Sequence, residues 1–175
     1  GDVYKRQEYL ATVGLDSLVM IWSGDTFERL RTIQGHQGFV KGVAFDPVDQ
    51  FLATASDDKT VKIWRTSDWG LEKSVSEPFR TSPSSSFFRR PAWSPDGANL
   101  LTANAMNGPV FVSTAIKRLA WSFDTSLVGH ENAVVVVAFS PRLFRGVNGQ
   151  EVSTVVALGS QDQSVSVWIL SLIHI

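Results

Sequence analysis

Three residues in the first third of the chain have the side chains of a hydrolase triad. His36 offers a base, Thr54 a hydroxyl and Asp58 a carboxylate that would orient the imidazole. The same groups also form structural networks, because a buried imidazole, hydroxyl and carboxylate must each be hydrogen bonded. Their sequence context decides between these two interpretations.

The segment that contains Asp58 is repeated along the chain, which favours the structural interpretation. In each copy an aspartate lies six residues before a tryptophan: LATVGLDSLVMIW at 10–22, LATASDDKTVKIW at 52–64 and VALGSQDQSVSVW at 156–168. A catalytic set is expected once in a chain, not in every repeat. The chain also lacks a Gly-x-Ser-x-Gly elbow, a Walker loop, a dinucleotide glycine fingerprint and a His-Glu-x-x-His motif. We therefore expect a protein that is not an enzyme, with no catalytic residue, no metal site and no cofactor.

Each repeat predicts two short strands joined by a tight turn, because an apolar run is followed by polar residues and then by alternation such as Val61 and Ile63. A Gly-His pair and a further predicted strand precede two of the units, at Gly35–His36 and Gly129–His130. Such preceding strands are predicted to end at turns that contain proline: Asp46-Pro47, Ser94-Pro95 and Ser140-Pro141. With an outer strand such as Leu71–Val75, the repeating unit has four strands.

This unit resembles a WD40 repeat. Trp22 and Trp64 are 42 residues apart, which agrees with the about 40–45 residues of one WD40 blade, and the Gly-His landmark is present. The literal Trp-Asp pair is missing, since Ser23 and Arg65 follow the two tryptophans. The resemblance implies an all-β fold, a WD40 β-propeller fragment of about three and a half four-stranded blades from a seven-bladed ring.

The repeat also predicts how the chain is divided. Residues 8–34 are a partial blade, 35–79 a blade, 80–128 a degenerate blade without the repeat tryptophan, and 129–169 a blade with a loop insertion at 144–150. Strands of the degenerate blade are predicted near Phe87–Trp93, Asn99–Ala103 and Val110–Val112. Residues 1–7 and 170–175 fit no repeat and resemble translated sequencing adapters, so we predict non-native tails around an internal fragment.

WD40 blades tie their strands with a hydrogen-bond network of His, Ser or Thr, Asp and Trp, and the resemblance assigns these roles. The second blade supplies His36, Thr54, Asp58 and Trp64. The first supplies Thr12, Asp16 and Trp22, without a histidine. The last supplies His130, Asp162 and Trp168, but Leu158 occupies its hydroxyl position. There, Ser160 would have to substitute or the network is incomplete.

Less common stretches between these landmarks resemble the propeller of the HIRA and fungal Hir histone chaperones. They are GHQGFVKGVAFD from residue 35, DDKTVKIWRTSDWGLEKSVSEPF from 57, FFRRPAWSPDG from 87, NAMNGP from 104 and LVGHENAVVVVAFSPRLF from 127. The resemblance implies a nuclear protein-binding subunit acting in replication-independent nucleosome assembly and transcriptional repression. The implied partners are a ubinuclein or Hpc-type subunit and, through the complex, histones H3 and H4. The alternative is the WD40 scaffold of another chromatin complex, such as chromatin assembly factor.

Composition limits the partners further. The formal charge is only −1, so no overall field directs the chain to nucleic acid or to a membrane. The absence of cysteine excludes disulfides and thiolate metal sites. Propellers bind through loops at the ends of their strands, so we expect partner contacts at exposed residues beside the core pattern. The candidates, with Arg90 first, are Arg90, Arg89, Phe39, Lys41, Asp57, Arg65 and Trp69.

Overall fold

The computed structural model describes residues 8–84, 86–145 and 152–172. Apart from one 3₁₀ turn at Glu77–Phe79, its regular elements are all strands. They are β1 (Tyr9–Val13), β2 (Val19–Ser23), β3 (Arg29–Ile33), β4 (Val40–Phe45), β5 (Phe51–Ser56), β6 (Val61–Arg65), β7 (Leu71–Val75), β8 (Ala92–Trp93), β9 (Asn99–Leu101), β10 (Ala105–Asn107), β11 (Val110–Lys117), β12 (Thr125–His130), β13 (Val134–Arg145), β14 (Val152–Ser160) and β15 (Val165–Leu172). The predicted tail at 1–7, residues 173–175 of the other tail and most of the predicted insertion lie outside the described residues.

The strands form four antiparallel sheets in chain order. The first blade is β1-β2-β3, the second β4-β5-β6-β7 and the fourth β13-β14-β15. In the third blade β11 pairs with β12 along one edge and with both β9 and β10 along the other. β9 and β10 therefore act as one strand interrupted at Thr102–Asn104, and Asn104 has a left-handed φ of 58°. The predicted all-β, partial propeller fold is confirmed.

The core consists of apolar layers between successive sheets. Ile21 of the first blade packs with Leu52 and Trp64 of the second. A second layer joins Ile63 to the third blade, where Trp93 and Trp121 are buried. A third joins Leu101 and its neighbours to the fourth blade. Because β5 is covered on both faces, all six of its residues are buried, whereas an edge strand such as β7 is mostly exposed.

Polar contacts also join the second and third blades at the end where β4 turns into β5. The Arg118 guanidinium donates to the buried Asp46 carboxylate at 2.6 Å and to the side chain of Gln50 at 2.7 Å. It also lies over the Phe51 ring, 4.9 Å from the centroid. One cation thus fixes the relative position of two blades.

Several predicted strand limits were wrong, including that of β11, which runs from Val110 to Lys117 and not only to Val112. β8 includes only Ala92–Trp93, because the preceding residues form an irregular segment between blades. β13 does not end at Ser140-Pro141 but continues to Arg145, since a register shift between Phe139 and Leu143 accommodates the proline. A bulge is one of the few places in a sheet where proline's missing N–H is tolerated. β15 continues to Leu172, so its last three residues belong to the segment 170–175 that is predicted to be a non-native tail.

Candidate functional site

The structure joins His36, Thr54, Asp58 and Trp64 in one hydrogen-bond network. The imidazole of His36 lies 2.8 Å from Asp58 through Nδ1 and 2.7 Å from the Thr54 hydroxyl through Nε2. The indole N–H of Trp64 donates to the same hydroxyl at 2.9 Å. A neutral His36 that carries its proton on Nδ1 satisfies every contact: it donates to Asp58 and accepts from Thr54, which accepts from Trp64.

Two local features place this network. Asp58 follows β5 at the tip of the β5–β6 turn, and its Oδ1 accepts from the backbone N–H and hydroxyl of Thr60 at 3.0 and 2.6 Å. Gly35 lies against the Trp64 ring, where a Cβ would approach Cη2 to 2.9 Å. The Gly-His pair is therefore required because only glycine lets the chain pass the tryptophan closely enough to insert His36.

Hydrogen bonds also keep Asp58 ionised. Burial opposes ionisation, but donation from His36, from Thr60 and from the backbone N–H of Gln37 outweighs it, and the pKa of Asp58 falls well below its usual value. The carboxylate therefore accepts hydrogen bonds and does not exchange protons near neutral pH. This property suits a structural anchor.

The geometry also argues against a catalytic role for these residues. Thr54 has no exposed surface, and its oxygen already bonds His36 and Trp64. A nucleophile must reach its substrate, and this hydroxyl reaches neither solvent nor a cleft. Among the described residues no group of three or more His, Asp or Glu side chains is placed to hold a metal ion.

Part of the same network recurs in the first blade. The Trp22 indole donates to the Thr12 hydroxyl at 2.8 Å, and Asp16 accepts from the backbone of Leu18 at 3.1 Å. The residue after the turn aspartate has positive φ in all three repeats: Ser17 at 64°, Lys59 at 63° and Gln163 at 69°. The constant Asp-to-Trp spacing thus corresponds to one turn geometry used three times.

The fourth blade completes its network, but not through Ser160. The His130 imidazole bonds Asp162 at 3.1 Å and, through Nε2, the Ser166 hydroxyl at 2.7 Å; Trp168 donates to the same hydroxyl at 2.9 Å. Ser166 lies on β15 directly opposite Leu158 of β14. The hydroxyl has moved to the neighbouring strand, so both parts of the prediction, substitution by Ser160 or an incomplete network, were wrong.

The partner candidates fall into two groups at opposite ends of the β5–β6 hairpin. Arg65 is paired with Phe51 at the start of β5, and Trp69 lies in the turn that follows β6. Arg65 is held by Asp68 and Glu72, which raise its pKa, and Trp69 packs edge-on against Tyr9 at 5.1 Å. Arg65 is therefore neutralised by carboxylates of its own blade, and Trp69 packs against the first blade.

The other group gathers beyond the opposite end of β5. The Asp57 backbone N–H donates to the Phe39 carbonyl, and the Asp57 carboxylate pairs with Lys41 at 2.6 Å and with Arg89 at 3.1 Å. The backbone N–H of Arg89 donates to the Lys41 carbonyl. Arg90 donates its backbone N–H to Val135 of β13 and accepts from the backbone N–H of Val137. One irregular segment thus spans from the second blade to the fourth.

Arg89 was wrongly predicted to be an exposed partner contact, since only 2% of the residue is exposed. Burial lowers the pKa of its guanidinium, an effect that the charge of Asp57 opposes. The guanidinium also donates to the carbonyl of Pro83, as does Asn104. Gly42 permits this arrangement, because a Cβ there would overlap the Arg89 carbonyl. Arg89 is a buried tie between blades.

Arg90, the next residue, is exposed and lies over the Phe88 ring, 4.3 Å from the centroid. The two aromatics before it, at the start of the strand predicted near Phe87–Trp93, are also exposed, Phe87 at 79% and Phe88 at 48%. Phe39, on the neighbouring segment, is also exposed. Phe39, Phe87, Phe88 and Arg90 are called the aromatic patch below. Sequence reasoning missed Phe87 and Phe88, because nothing in FFRR shows which of its four side chains point inward.

Comparison with known proteins identifies the repeat and its relatives. The family model of the WD domain, G-beta repeat, matches residues 27–65. The chain is 68% identical over 165 residues to Protein HIR1 of Mycosarcoma maydis, which covers 94% of the chain and 16% of that protein. It is 58% identical to Protein HIR1 of Cryptococcus neoformans, covering 91% and 18%, and 49% identical to Protein hir1 of Schizosaccharomyces pombe, covering 92% and 17%. The chain therefore spans less than a fifth of the length of these relatives.

Proposed function

We propose that this chain, a WD40-repeat chain highly similar to Hir1 proteins over most of its length, is the protein-binding propeller of a histone chaperone subunit. Its role is replication-independent nucleosome assembly and transcriptional repression in the nucleus. The similarity to proteins named HIR1 supports the chromatin-related role. The buried, repeated networks support a scaffold that binds and does not catalyse.

The aromatic patch is the observation that carries the binding function. Three phenylalanines in water are unfavourable unless a partner covers them, and aromatic and arginine side chains dominate binding energy at interfaces. Arg90 is already ordered, because its backbone is bonded to Val135 and Val137 and its guanidinium rests on Phe88. A partner therefore loses little additional side-chain entropy by contacting it.

The proposed partner is a ubinuclein or Hpc-type subunit, with histones H3 and H4 engaged through the assembled complex. In this scheme Arg90 contacts a carboxylate or carbonyl of the partner, and Phe39, Phe87 and Phe88 surround that contact and exclude water. The ion pairs of Asp57 with Lys41 and Arg89 fix the position of the segment that carries Arg90. No step of the function transforms a substrate.

Titration calorimetry with the histone-binding region of a ubinuclein or Hpc-type protein tests this proposal, using full-length protein. We expect Arg90→Ala to weaken binding by about tenfold or more, as for a central interface arginine. The matched control is Arg29→Ala, another exposed arginine but at the edge of the first blade, which should not change affinity. Full affinity in Arg90→Ala would remove the patch from the interface. No binding by the unmutated protein would reject the partner and favour another chromatin scaffold, such as chromatin assembly factor.

A further inference from the structure

The fourth blade carries a projection that the second blade lacks. In the second blade β4 and β5 turn just beyond the Phe45–Leu52 pair. The equivalent Phe139–Val156 pair is followed by three more, Leu143–Thr154, Phe144–Ser153 and Arg145–Val152. The added pairs extend the sheet by about 10 Å at 3.3 Å per residue. This extension is called the arm.

The outer strand of the arm has the order Arg142, Leu143, Phe144, Arg145. All four residues are exposed, with Leu143 at 46% and Phe144 at 44%. β13 is the edge strand of its sheet, and nearer its start that edge is covered by Arg90. Over Leu143–Arg145, the described backbone pairs only with β14. The arm therefore presents an open strand edge with apolar side chains.

The charges of Arg142 and Arg145 indicate which kind of strand can pair with this edge. In the part of the chain that the structure describes, neither Arg142 nor Arg145 forms an ion pair. Two cations at an edge disfavour pairing with a second copy of the same edge, because like charges would face each other. An acidic strand would instead place carboxylates against both arginines.

We propose that the edge of β13 at Arg142–Arg145 binds an extended acidic segment of a partner protein as an additional strand. Backbone hydrogen bonds provide the pairing, and Leu143 and Phe144 contact apolar side chains on opposite faces of the added strand. At 3.3 Å per residue, the arm lies about 20 Å along β13 from Val135 and Val137, the residues whose backbones bond Arg90. This is therefore a second surface, and it does not depend on the aromatic patch.

Fluorescence anisotropy of full-length protein with a labelled Glu-Val-Val-Glu-Val-Val-Glu peptide tests the proposal, because this spacing places a glutamate opposite each arginine and a valine opposite Leu143 and Phe144. The peptide should bind at low ionic strength and weaken as salt screens the arginines. R142E/R145E should weaken binding by about tenfold or more and should bind the corresponding Lys-Val peptide instead, as reversed charge requires. A peptide N-methylated on alternate residues along one edge should lose binding, because strand pairing requires its N–H groups.

The matched control is R29E/R31E in β3, another exposed edge strand with arginines on either side of a leucine. Its affinity should remain that of the unmutated protein. An equal loss in both variants would overturn the proposal in favour of general charge attraction, and so would binding that survives N-methylation. Melting temperatures should match in all variants because the changed side chains are exposed. Concentration-dependent dimers that R142E/R145E abolishes would assign the edge to a second copy and overturn the proposal as well.

Discussion

Replacing Thr54 with valine tests whether the buried network stabilises the blade. Valine keeps the shape of threonine and removes only the hydroxyl that bridges His36 and Trp64. All three residues are less than a tenth exposed, so water cannot replace the lost contacts. A buried donor or acceptor left without a partner costs about 1–3 kcal/mol. Two such groups, less the gain from burying an extra methyl, give a loss of about 2–4 kcal/mol.

Urea unfolding of the 175-residue chain, followed by tryptophan fluorescence, measures this loss. With a slope of about 2 kcal/mol/M, the midpoint should fall by about 1–2 M. The matched control is Thr12→Val, which removes the hydroxyl bonded to Trp22 in the first blade, where Thr12 is exposed. Water replaces that contact, so the loss should stay below about 1 kcal/mol.

A double-mutant cycle identifies the source of the loss. Trp64→Phe removes the indole N–H, so Thr54→Val in that background should cost less than it does alone. The network interpretation is refuted if Thr54→Val and Thr12→Val destabilise the protein equally. It is also refuted if the two changes at 54 and 64 are simply additive.

Three further predictions concern the polar contacts. The pKa of Asp58 is lowered in the folded state, so its contribution to stability is complete above about pH 4 and lost as pH falls further. In urea titrations at pH 6, 4 and 3, Asp58→Asn should reduce the loss of unfolding free energy between pH 4 and pH 3. An unchanged pH dependence would contradict the assignment. Ser166→Ala should lower the melting temperature because it leaves the His130 imidazole and the Trp168 indole without their shared hydroxyl, and in a Trp168→Phe background it should cost less than it does alone; simple additivity would count against the assignment. Asp57→Asn should cost about 3–5 kcal/mol because it leaves a buried guanidinium unpaired, whereas Asp68→Asn, which removes an exposed partner of Arg65, should leave the urea midpoint nearly unchanged in the same assay.

Most of the fold was predictable because the repeat fixes the positions of its turn and strand residues relative to one another. An aspartate at a fixed distance before a tryptophan determines the turn, the following strand and which side chains face inward. His36, Thr54 and Asp58 could be assigned together for this reason, although they are far apart in sequence. The same argument predicted the degenerate blade by its spacing, but not its strand limits, since that blade lacks the repeat tryptophan.

Pairs of similar residues could not be resolved from sequence. Arg89 and Arg90 are chemically identical, and the buried one is the one that meets the carboxylate of Asp57, 32 residues away in sequence. Ser166 could not be assigned because its partner Leu158 lies across a strand pair, and a pattern read along one strand does not show which side chains lie opposite. Long-range pairing decides both cases, and local propensity carries no information about it.

The candidate binding surfaces lie in segments that do not follow the repeat pattern. The residues that recur in each blade are satisfied internally: the hydroxyls of Thr54 and Ser166 each accept an indole N–H and bond an imidazole, which leaves nothing to offer a partner. Among the described residues, neither the FFRR segment nor the arm has a counterpart in another blade. In both, apolar and cationic side chains are exposed without a described carboxylate to neutralise Arg90, Arg142 or Arg145. A repeat protein holds its shape with the positions that repeat, so specificity for a partner must come from those that do not.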